Sequence, residues 1–500
     1  MLDAVNTGAM TTDILIVGTG FAGMAMAIKL RQAGFDEIIM IEKGADVGGT
    51  WRDNVYPGCA CDIPSHLYSL SFEPKTNWSR MYPQQPEIYE YLRGVADKYR
   101  LRERIKFNTV MLAAVWDEAA ARWQVTTSTG VITTRVLVSG MGGLHIPAFP
   151  KIKAIESFTG KTFHSAQWDH AYDLTGKRVA VIGTGASAIQ FVPQIAPKVA
   201  HLDLYQRTPP WIIPKPDRAI SEAETKLLKF GPYRKMFRQF LFLIHELRVL
   251  GFLGNKRAQK LAQHMAVSHI HKTISDPALR AKVTPNYKVG CKRVMISNDY
   301  YPTLTRPNVD VITDNIAEIR AQSVIDVNGV ERPADAIIFG TGFEVTSAYK
   351  HWNIQGIGGQ DLKTLWDKTG MRSFKGVSIA GFPNLFLLLG PHTALGHNSV
   401  VIMIEAQVGY IVDALKQARA KNAAALNAKA ASQAAFIAEI SAKLKGTVWQ
   451  DGGCQSWYQD EHGFVSTIWP GSAASYQKTM RAADLQDFEL LATETAKVNA

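Results

Sequence analysis

The chain has 500 residues and a formal net charge of +11, and 46% of its residues are hydrophobic. This length exceeds what one simple core holds, so we expect two or three domains in a soluble globular protein. The basic residues are dispersed along the chain rather than interleaved with aromatics, which argues against nucleic-acid binding. The positive charge favours attraction of anionic cofactors into a cleft.

The sequence predicts neither secretion nor a membrane span. Residues 1–13 lack the basic start and apolar core of a signal peptide. The longest apolar stretch, residues 240–253, is interrupted by a histidine, a glutamate and an arginine, so no integral membrane segment is expected. We therefore expect a cytoplasmic protein.

The cysteines give no sign of a metal site or a redox pair. No pair among Cys59, Cys61, Cys291 and Cys454 has metal-ligand spacing. The Cys59-Ala-Cys61 spacing is too short for a redox Cys-x-x-Cys motif. We expect reduced cysteines, in keeping with a cytosolic protein, and no bound metal.

The first predicted unit is a dinucleotide-binding strand, turn and helix. Residues 13–18, DILIVG, read as a buried parallel strand, and the turn that follows carries Gly18, Gly20 and Gly23. Such glycines permit a tight bend, close approach to a pyrophosphate and helix-on-strand packing. Glu42 lies 24 residues after Gly18, where a carboxylate accepts hydrogen bonds from ribose hydroxyls and repels a 2′-phosphate. This site is predicted to bind FAD or NAD rather than NADP.

The second unit repeats this arrangement with the opposite charge. A strand pattern over residues 178–182 leads into a turn made by Gly183, Gly185 and Ala188. Arg207 lies 24 residues after Gly183 and is followed by Thr208. An arginine at this position suits the 2′-phosphate of NADPH. The chain therefore reads as an FAD unit followed by an NADPH unit.

Two further segments carry a family resemblance. Residues 158–169, FTGKTFHSAQWD, resemble the fingerprint Phe-x-Gly-x-x-x-His-x-x-x-Trp-Asp of the Baeyer–Villiger monooxygenases. Residues 48–62, GGTWRDNVYPGCACD, resemble a second signature of that family, Gly-Gly-x-Trp-x-x-x-x-Tyr-Pro-Gly-x-x-x-Asp. The matching residues are Phe158, Gly160, His164, Trp168 and Asp169 in the first segment and Gly49, Trp51, Tyr56 and Asp62 in the second.

The resemblance implies an enzyme that uses FAD, NADPH and O2 to convert a small-molecule ketone to an ester or lactone through a C4a-peroxyflavin, with sulfoxidation as a side activity. It makes Arg293 the active-site arginine, Asp62 the carboxylate that orients it, and Lys292 a further ligand of the 2′-phosphate. An arginine suits the oxyanion because its planar fork is permanently charged. By itself, Asp62 also reads as the N-cap of a following helix.

Two other assignments follow from the resemblance. We expect His164 to couple the domains rather than to transfer protons. The helix after Asn398 is expected to point its N-terminus at the flavin. In the C-terminal tail, Trp457, Tyr458 and Trp469 are candidates to line the pocket, although ordinary packing explains them nearly as well.

The predicted fold class is α/β, with two dinucleotide-binding Rossmann-like domains and a helical insertion. The expected FAD-binding domain covers residues 1–145 and 376–500, and the NADPH-binding domain covers 146–215 and 286–375. The helical insertion covers residues 216–285, and residues 423–444 read as a further amphipathic helix. The oligomeric state stays open.

Three other functions are compatible with two nucleotide units. A flavin-containing or N-hydroxylating monooxygenase would act on amines or sulfides, but the linking motif of that group lacks the Trp168-Asp169 ending. A disulfide reductase would need a redox cysteine pair beside the flavin. A non-catalytic NADPH-binding protein would have no need of Arg293.

Overall fold

The computed structural model describes residues 10–460 and 462–492, so the N-terminal residues 1–9, predicted to hold no signal peptide, lie outside the described residues. The strands, in chain order, are β1 (Met10–Val17), β2 (Ile38–Ile41), β3 (Ile105–Lys106), β4 (Met111–Asp117), β5 (Arg122–Thr127), β6 (Gly130–Ser139), β7 (Lys161–His164), β8 (Arg178–Ile182), β9 (His201–Tyr205), β10 (Ile212–Ile213), β11 (Met295–Ile296), β12 (Val309–Ile312), β13 (Ile316–Arg320), β14 (Ser323–Asp326), β15 (Glu331–Pro333), β16 (Ala336–Phe339), β17 (Ile354–Gln355), β18 (Leu385–Leu387), β19 (Ala425–Ala428) and β20 (Phe488–Leu491).

The α-helices are α1 (Phe21–Gln32), α2 (Thr50–Asp53), α3 (Gln85–Lys98), α4 (Ala188–Ile195), α5 (Glu222–Lys229), α6 (Gly231–Leu247), α7 (Val249–Phe252), α8 (Lys256–Thr273), α9 (Pro277–Val283), α10 (Tyr300–Leu304), α11 (Leu362–Thr369), α12 (Val400–Ala420), α13 (Ala430–Leu444), α14 (Val448–Asp451) and α15 (Ala473–Thr479). Among the described helices, none has both the length and the apolar character needed to cross a membrane.

The first sheet is built around the first glycine turn. Its strand order is β17-β4-β5-β6-β1-β2-β3, and β18 also pairs with β6. Strands β18, β6, β1, β2 and β3 run parallel, whereas β4, β5 and the start of β6 form an antiparallel meander. The apolar run GFPNLFLLLG at residues 381–390 thus supplies a strand of this sheet. The glycine turn after β1 lies at the carboxyl edge of the parallel strands, where such sheets bind their ligands.

The second sheet is fully parallel, with the order β12-β9-β8-β16-β7. The apolar, β-branched sequences of β8 and β16 fit a position with both faces covered. An antiparallel sheet of β13, β14 and β15 accompanies it. One mixed sheet with five parallel strands and one fully parallel sheet, each with a glycine turn, confirm the predicted α/β fold with two Rossmann-like units.

The segment that carries the family fingerprint lies within the second sheet. Its residues Lys161–His164 form β7, which pairs in parallel with β16 at the sheet edge. The segment is therefore anchored to the second unit along its length and is not a free connection between two domains. Strand β17, from a segment assigned by sequence to the NADPH domain, pairs with β4 of the first sheet.

The predicted helical insertion is present as α5 to α9, but the expected helix over residues 423–444 is only partly right. Residues Ala425–Ala428 form a strand, and the helix begins at Ala430. The strand pairs antiparallel with Phe488–Leu491, a segment far along the chain. This pairing, with the strand residues buried, outweighs the helix propensity of alanine.

The expectation that all cysteines are reduced is wrong for one pair. Cys291 and Cys454 form a disulfide with a Cα–Cα distance of 6.1 Å, whereas Cys59 and Cys61 are unbonded and buried. The 163 residues between the bonded cysteines leave no local spacing signal in the sequence. The bond joins the segment that carries Lys292 and Arg293 to the C-terminal tail.

We predict that Cys454→Ser lowers the free energy of unfolding by about 2–4 kcal/mol, because the cross-link no longer restricts the unfolded chain. Thermal melting of the variant and the unsubstituted protein without reductant measures this loss. The two proteins should melt together once both are fully reduced. Equal melting without reductant would contradict the prediction.

Candidate active site

The two glycine turns have the same local geometry. Gly18 and Gly183 adopt φ values of +97° and +104°. A Cβ on either residue would lie 2.6 Å from a carbonyl oxygen, that of Gly140 or Gly340 respectively. Both positions therefore require glycine, for backbone conformation and for space. The partners in these close approaches, Gly140 and Gly340, directly follow the strands β6 and β16.

The helices that leave the two turns are left uncapped. The N-cap residues of α1 and α4, Gly20 and Ser187, make no side-chain cap hydrogen bond, and neither helix has an acidic residue in its first turn. The N-terminal N–H groups of both helices thus remain available to an anion. This arrangement fits the diphosphates of FAD and of NADPH.

The other small residues predicted for the two turns also lie in close contact with neighbouring backbone. A Cβ at Gly23 would lie 1.9 Å from the carbonyl oxygen of Gly18, so glycine lets α1 pack on its turn. Gly49 approaches Gly20 closely, which brings the loop of residues 48–62 to the first turn. In the second unit, a Cβ at Gly185 would lie 3.5 Å from the oxygen of Gly340, and Ala188 begins α4 fully buried.

Glu42 is held against the first turn. Its Oε2 accepts hydrogen bonds from the backbone N–H (3.0 Å) and the hydroxyl (2.8 Å) of Thr19. Its Oε1 accepts from the N–H of Gly44 and faces Arg52 at 2.8 Å. Burial by itself raises the pKa of a carboxyl, but the Gly44 and Arg52 contacts hold the pKa of Glu42 below its usual value. The carboxylate is therefore ionised and already fully partnered.

Thr184 makes the corresponding contact in the second turn. Its hydroxyl donates to the carbonyl oxygen of Thr208 at 3.3 Å, which fixes the end of β9 beside the turn. Arg207 is exposed there. Burial, and then the positive charge of Arg207, lower the pKa of Lys292. The fold thus brings together the two cations that the sequence assigned to the 2′-phosphate, although 85 residues separate them in the chain.

The loop of residues 48–62 joins the two units. Trp51 is buried and donates its indole N–H to the hydroxyl of Tyr68 at 3.2 Å. The Tyr56 hydroxyl donates to Oε1 of Gln190 on α4 at 3.0 Å. Gln190 also donates to the carbonyl oxygen of Ala60 at 3.0 Å. Tyr56, predicted from sequence as a cofactor ligand, is thus found in a contact with the NADPH-side helix.

Asp62, at the end of this loop, forms a bidentate ion pair with Arg293. Nε and Nη2 of Arg293 donate to the two Asp62 oxygens at 2.8 Å each. The side chains keep 25% and 30% of their surface exposed, so the pair faces an open space. The Asp62 charge raises the pKa of Arg293 and keeps the guanidinium protonated. No helix begins within the described residues 54–84, so the reading of Asp62 as an N-cap is wrong.

The C-terminal tail contributes one aromatic residue to this pair. Tyr458 is fully buried beside Arg293, and burial raises its pKa to about 12 although the Arg293 charge opposes the shift. Trp469 packs instead against Phe436 and Tyr476 and belongs to the core. Trp457 is partly exposed, and its ring lies 4.3 Å from that of Tyr458 at an interplanar angle of 55°.

Sequence reasoning missed Glu246, on α6 of the insertion. Its carboxylate accepts hydrogen bonds from Asn398 Nδ2 at 2.8 Å and His397 Nε2 at 3.2 Å. It also accepts from the N–H groups of Ala473 and Ala474 at 3.1 Å each, which begin α15. Burial works against ionisation, yet these contacts lower the pKa of Glu246 to about 2. One carboxylate therefore ties the insertion to the loop before α12 and to the tail.

The residues of the fingerprint segment pack within the second unit. His164 is fully buried between the rings of Phe149 and Phe343, and its Nδ1 accepts from the N–H of Ala166 at 3.1 Å. Phe158 is buried against β8 and β16, and a Cβ at Gly160 would lie 2.5 Å from the carbonyl oxygen of Asp335. Burial lowers the pKa of His164, which favours the neutral ring.

Trp168 and Asp169 end this segment. The Trp168 ring contacts Phe191 of α4 at 5.3 Å, and Phe191 contacts Tyr56 of the first unit at 6.2 Å. Asp169 accepts from Lys161 at 2.6 Å, and this contact lowers its pKa. Trp168 thus connects the segment, through α4, to the loop that ends at Asp62.

These features define a two-dinucleotide-binding flavoprotein. A sequence-family profile described as pyridine nucleotide-disulphide oxidoreductase matches residues 15–226, which include both glycine turns. A Baeyer-Villiger monooxygenase of Pseudomonas aeruginosa is 50% identical over 489 residues, covering 97% of this chain and 93% of the relative. A Baeyer-Villiger monooxygenase of Streptomyces coelicolor is 43% identical, covering 97% and 94%.

Solved structures agree with these relatives. An oxidized steroid monooxygenase bound to NADP matches with a TM-score of 0.87 at 30% identity, covering 96% of this chain and 100% of that chain. Cyclohexanone monooxygenase from Rhodococcus sp. Phi1 bound to NADP+ matches with a TM-score of 0.87 at 27% identity, covering 97% and 100%. The chain belongs to the Baeyer–Villiger monooxygenase family.

Membership confirms the predicted fold, reaction type and cofactors: the chain is a monooxygenase that uses FAD, NADPH and dioxygen. The burial of Cys59 and Cys61 argues against the disulfide reductase alternative. Burial raises the pKa of Cys59 to about 12 and raises that of Cys61, so neither thiol is the thiolate that such chemistry needs.

We predict that Arg207→Ala raises the Kd for NADPH on the order of tenfold or more, because a charge-assisted contact to the 2′-phosphate is lost. The Kd for NADH, which lacks this phosphate, should change little. Titration of the FAD-loaded protein with both nucleotides measures the difference. Arg306→Ala, an exposed arginine elsewhere in the second unit, is the control. Equal losses for the two nucleotides would count against the assignment.

We predict that Glu246→Gln lowers the free energy of unfolding at pH 7 by about 1–3 kcal/mol, because the hydrogen bonds lose their charge. The folded-state pKa of about 2 lies below the usual 4.5, so the contribution is complete above pH 4.5 and declines as pH falls toward 2. Thermal melting across this range should show the variant converging on the unsubstituted protein. Glu222→Gln, on the exposed start of α5, should show no such convergence.

Proposed function

We propose that this enzyme oxidises small-molecule ketones to esters or lactones at the open side of the Asp62–Arg293 pair. The overall reaction consumes one ketone, O2, NADPH and a proton, and it places one oxygen atom in the ester and the other in water. The observation that carries this proposal is the pair itself, a permanently charged donor fork held by a carboxylate where the two units and the tail meet.

Arg293 has hydrogen-bonding capacity left for substrate. Asp62 occupies Nε and one N–H of Nη2, and the contact of Nη1 with the carbonyl oxygen of Leu395 is long at 3.5 Å. The N–H groups of Nη1 and the remaining one of Nη2 can therefore donate to an oxygen atom. We assign to them the stabilisation of negative charge that develops on the ketone oxygen when its carbonyl is attacked. Asp62 is a positioning residue that fixes the plane of this fork.

The cofactors are assigned to the two turns. Bound FAD supplies the redox chemistry by accepting hydride from NADPH and activating dioxygen. Gly18, Gly20, Gly23 and Gly49 would approach FAD, and Glu42 would bind its ribose. Because Glu42 is already fully partnered, Arg52 is the side chain that must yield to the ribose hydroxyls. We assign Asn398, whose orientation Glu246 fixes, to the FAD site as a residue of the loop just before α12. The N-terminus of this helix is capped by the hydroxyl of Ser399.

The NADPH site is assigned to the second turn. Gly183, Gly185 and Ala188 would hold the diphosphate, and Thr208 borders it. Arg207 and Lys292 would bind the 2′-phosphate, a role that the electrostatic interaction between these two cations supports. The domain division we propose follows the sequence boundaries, except that residues near β17 join the FAD-binding unit.

The fingerprint residues are assigned to domain coupling. His164 is buried, neutral at physiological pH and enclosed by aromatic rings, a setting that supports a positioning role rather than proton transfer. Phe158 and Gly160 anchor the segment to the second sheet. Trp168 and Asp169 hold the end of the segment against α4 and β7.

We predict that Arg293→Ala keeps FAD binding and flavin reduction by NADPH but slows ester formation by about 100-fold or more, the usual effect of removing an oxyanion donor. Stopped-flow absorbance follows reduction, and product analysis over linear, cyclic and aryl ketones follows ester formation. Arg293→Lys should restore little, because an ammonium lacks the planar fork.

Arg257→Ala, an exposed arginine on α8, is the matched control and should behave as the unsubstituted enzyme. Undiminished ester production by Arg293→Ala would refute the assigned role. Ester formation from none of the ketones by the unsubstituted enzyme, with sulfides or amines oxidised instead, would refute the substrate class.

A further inference from the structure

One side of helix α6 exposes an unbroken apolar stripe. Its residues recur at helical spacing, continue into α7 and are between 39% and 68% exposed: Met236, Phe240, Leu243, Ile244, Leu247 and Leu250. The opposite side of α6 is anchored to the protein through the buried residues Leu241 and His245. At 1.5 Å per residue the stripe is about 21 Å long. Such spacing places all six side chains on one face of the helix.

We expect a binding partner to cover this stripe. Single exposed apolar residues are ordinary, but a continuous apolar face on a soluble protein marks an interaction site. Neighbouring elements extend the apolar character, since Leu253 follows α7 and Leu261 and Met265 are exposed one turn apart on α8. We call the six α6 and α7 residues the apolar stripe.

The charge of the insertion indicates what covers it. Residues 216–285 hold 13 Lys and Arg against five Asp and Glu, so this seventh of the chain carries +8 of the net +11. The basic residues are thus concentrated here, contrary to the dispersed distribution expected from the sequence. Exposed members lie on each helix around the stripe, including Lys229, Lys235, Arg248, Lys256 and Lys260.

Three kinds of partner can be compared on these two properties. A second copy of the chain would bring two faces of +8 together, and like charges oppose such an interface. A nucleic acid would match the charge but would gain nothing from the apolar stripe. An anionic bilayer matches both, because the apolar side chains enter the boundary of the acyl chains while the Lys and Arg side chains bind the lipid head groups.

We propose that the apolar stripe docks this enzyme on the surface of an anionic phospholipid bilayer, with α6 lying in the plane of the membrane. The docking is peripheral, in keeping with the lack of a membrane-spanning helix among the described residues. It also places the bilayer close to the active site, because Glu246 of the same helix binds Asn398. The inference rests on the insertion alone and does not depend on the assigned substrate.

The test is co-sedimentation of the FAD-loaded enzyme with vesicles. Phosphatidylcholine vesicles containing phosphatidylglycerol should bind the enzyme, vesicles of phosphatidylcholine alone should bind it far less, and added NaCl should weaken binding. The triple variant Phe240→Ser, Leu243→Ser, Leu247→Ser should bind at least about tenfold more weakly, because three apolar side chains no longer enter the lipid.

The matched control replaces three exposed apolar residues outside the insertion, Leu112→Ser, Val327→Ser and Val330→Ser, and should bind as the unsubstituted enzyme. A second variant, Lys256→Glu, Arg257→Glu, Lys260→Glu, changes charge without touching the stripe and should also lose binding. FAD content and melting temperature verify that each variant is folded.

Several results would overturn the proposal. One is the absence of binding to anionic vesicles, and another is an equal loss in the control. A third is vesicle binding that is abolished by salt and yet is unchanged in the stripe variant. That result would show that charge alone accounts for binding, as expected for a nucleic-acid partner. A dimer in light scattering that the stripe variant dissociates, without any effect on vesicle binding, would assign the stripe to a second copy.

Discussion

The structure of the proposed active site depends on the ion pair between Asp62 and Arg293. Its members come from different units, since Asp62 ends a loop of the first unit and Arg293 follows the insertion in the second. Burying either charge alone would cost about 3–5 kcal/mol, a cost that open solvent on one side reduces. The arginine therefore reaches its position only when the loop and the second unit are packed together. The geometry that we propose for catalysis is thus a consequence of this contact.

Two further connections hold together the segments that surround the Asp62–Arg293 pair. The Cys291–Cys454 disulfide adjoins Lys292 and Arg293 and fixes their segment to the tail that carries Tyr458. Glu246 fixes the insertion to the Asn398 loop and to α15. Segments distant in sequence thus share a few strong contacts, which restricts independent movement of any one of them around Arg293.

The nucleotide sites could be predicted from sequence because their determinants are local. A glycine turn between strand and helix, with an acid or an arginine 24 residues later, encodes the backbone path and the charge within one β–α–β unit. In the fold Glu42 contacts the first turn, and Thr208, which follows the Arg207 given by the offset, contacts the second. The offset could not show that Glu42 is already fully partnered, because the ion pair of Glu42 with Arg52 is visible only in the folded chain.

The features that sequence missed are long-range. Glu246 meets partners 151 to 228 residues away, and no motif surrounds it. The disulfide spans 163 residues, and β19 exists only because Phe488–Leu491 pairs with it. Alanine-rich sequence favours a helix locally, so the strand and its partner had to be seen together. The excess of Lys and Arg in the insertion can be counted from the sequence, but only the fold shows that it surrounds an exposed apolar face.

The fingerprint segment takes on a different meaning once its position is known. A hinge would have few contacts, yet β7 is hydrogen-bonded into the second sheet and His164 is enclosed by aromatic rings. The coupling role that we propose for this segment would therefore act through its packing. The available route runs from Trp168 to Phe191 of α4, then to Tyr56 and along the loop to Asp62. We propose that a displacement of the second unit would reach the Asp62–Arg293 pair along this route, without any movement within the fingerprint segment itself.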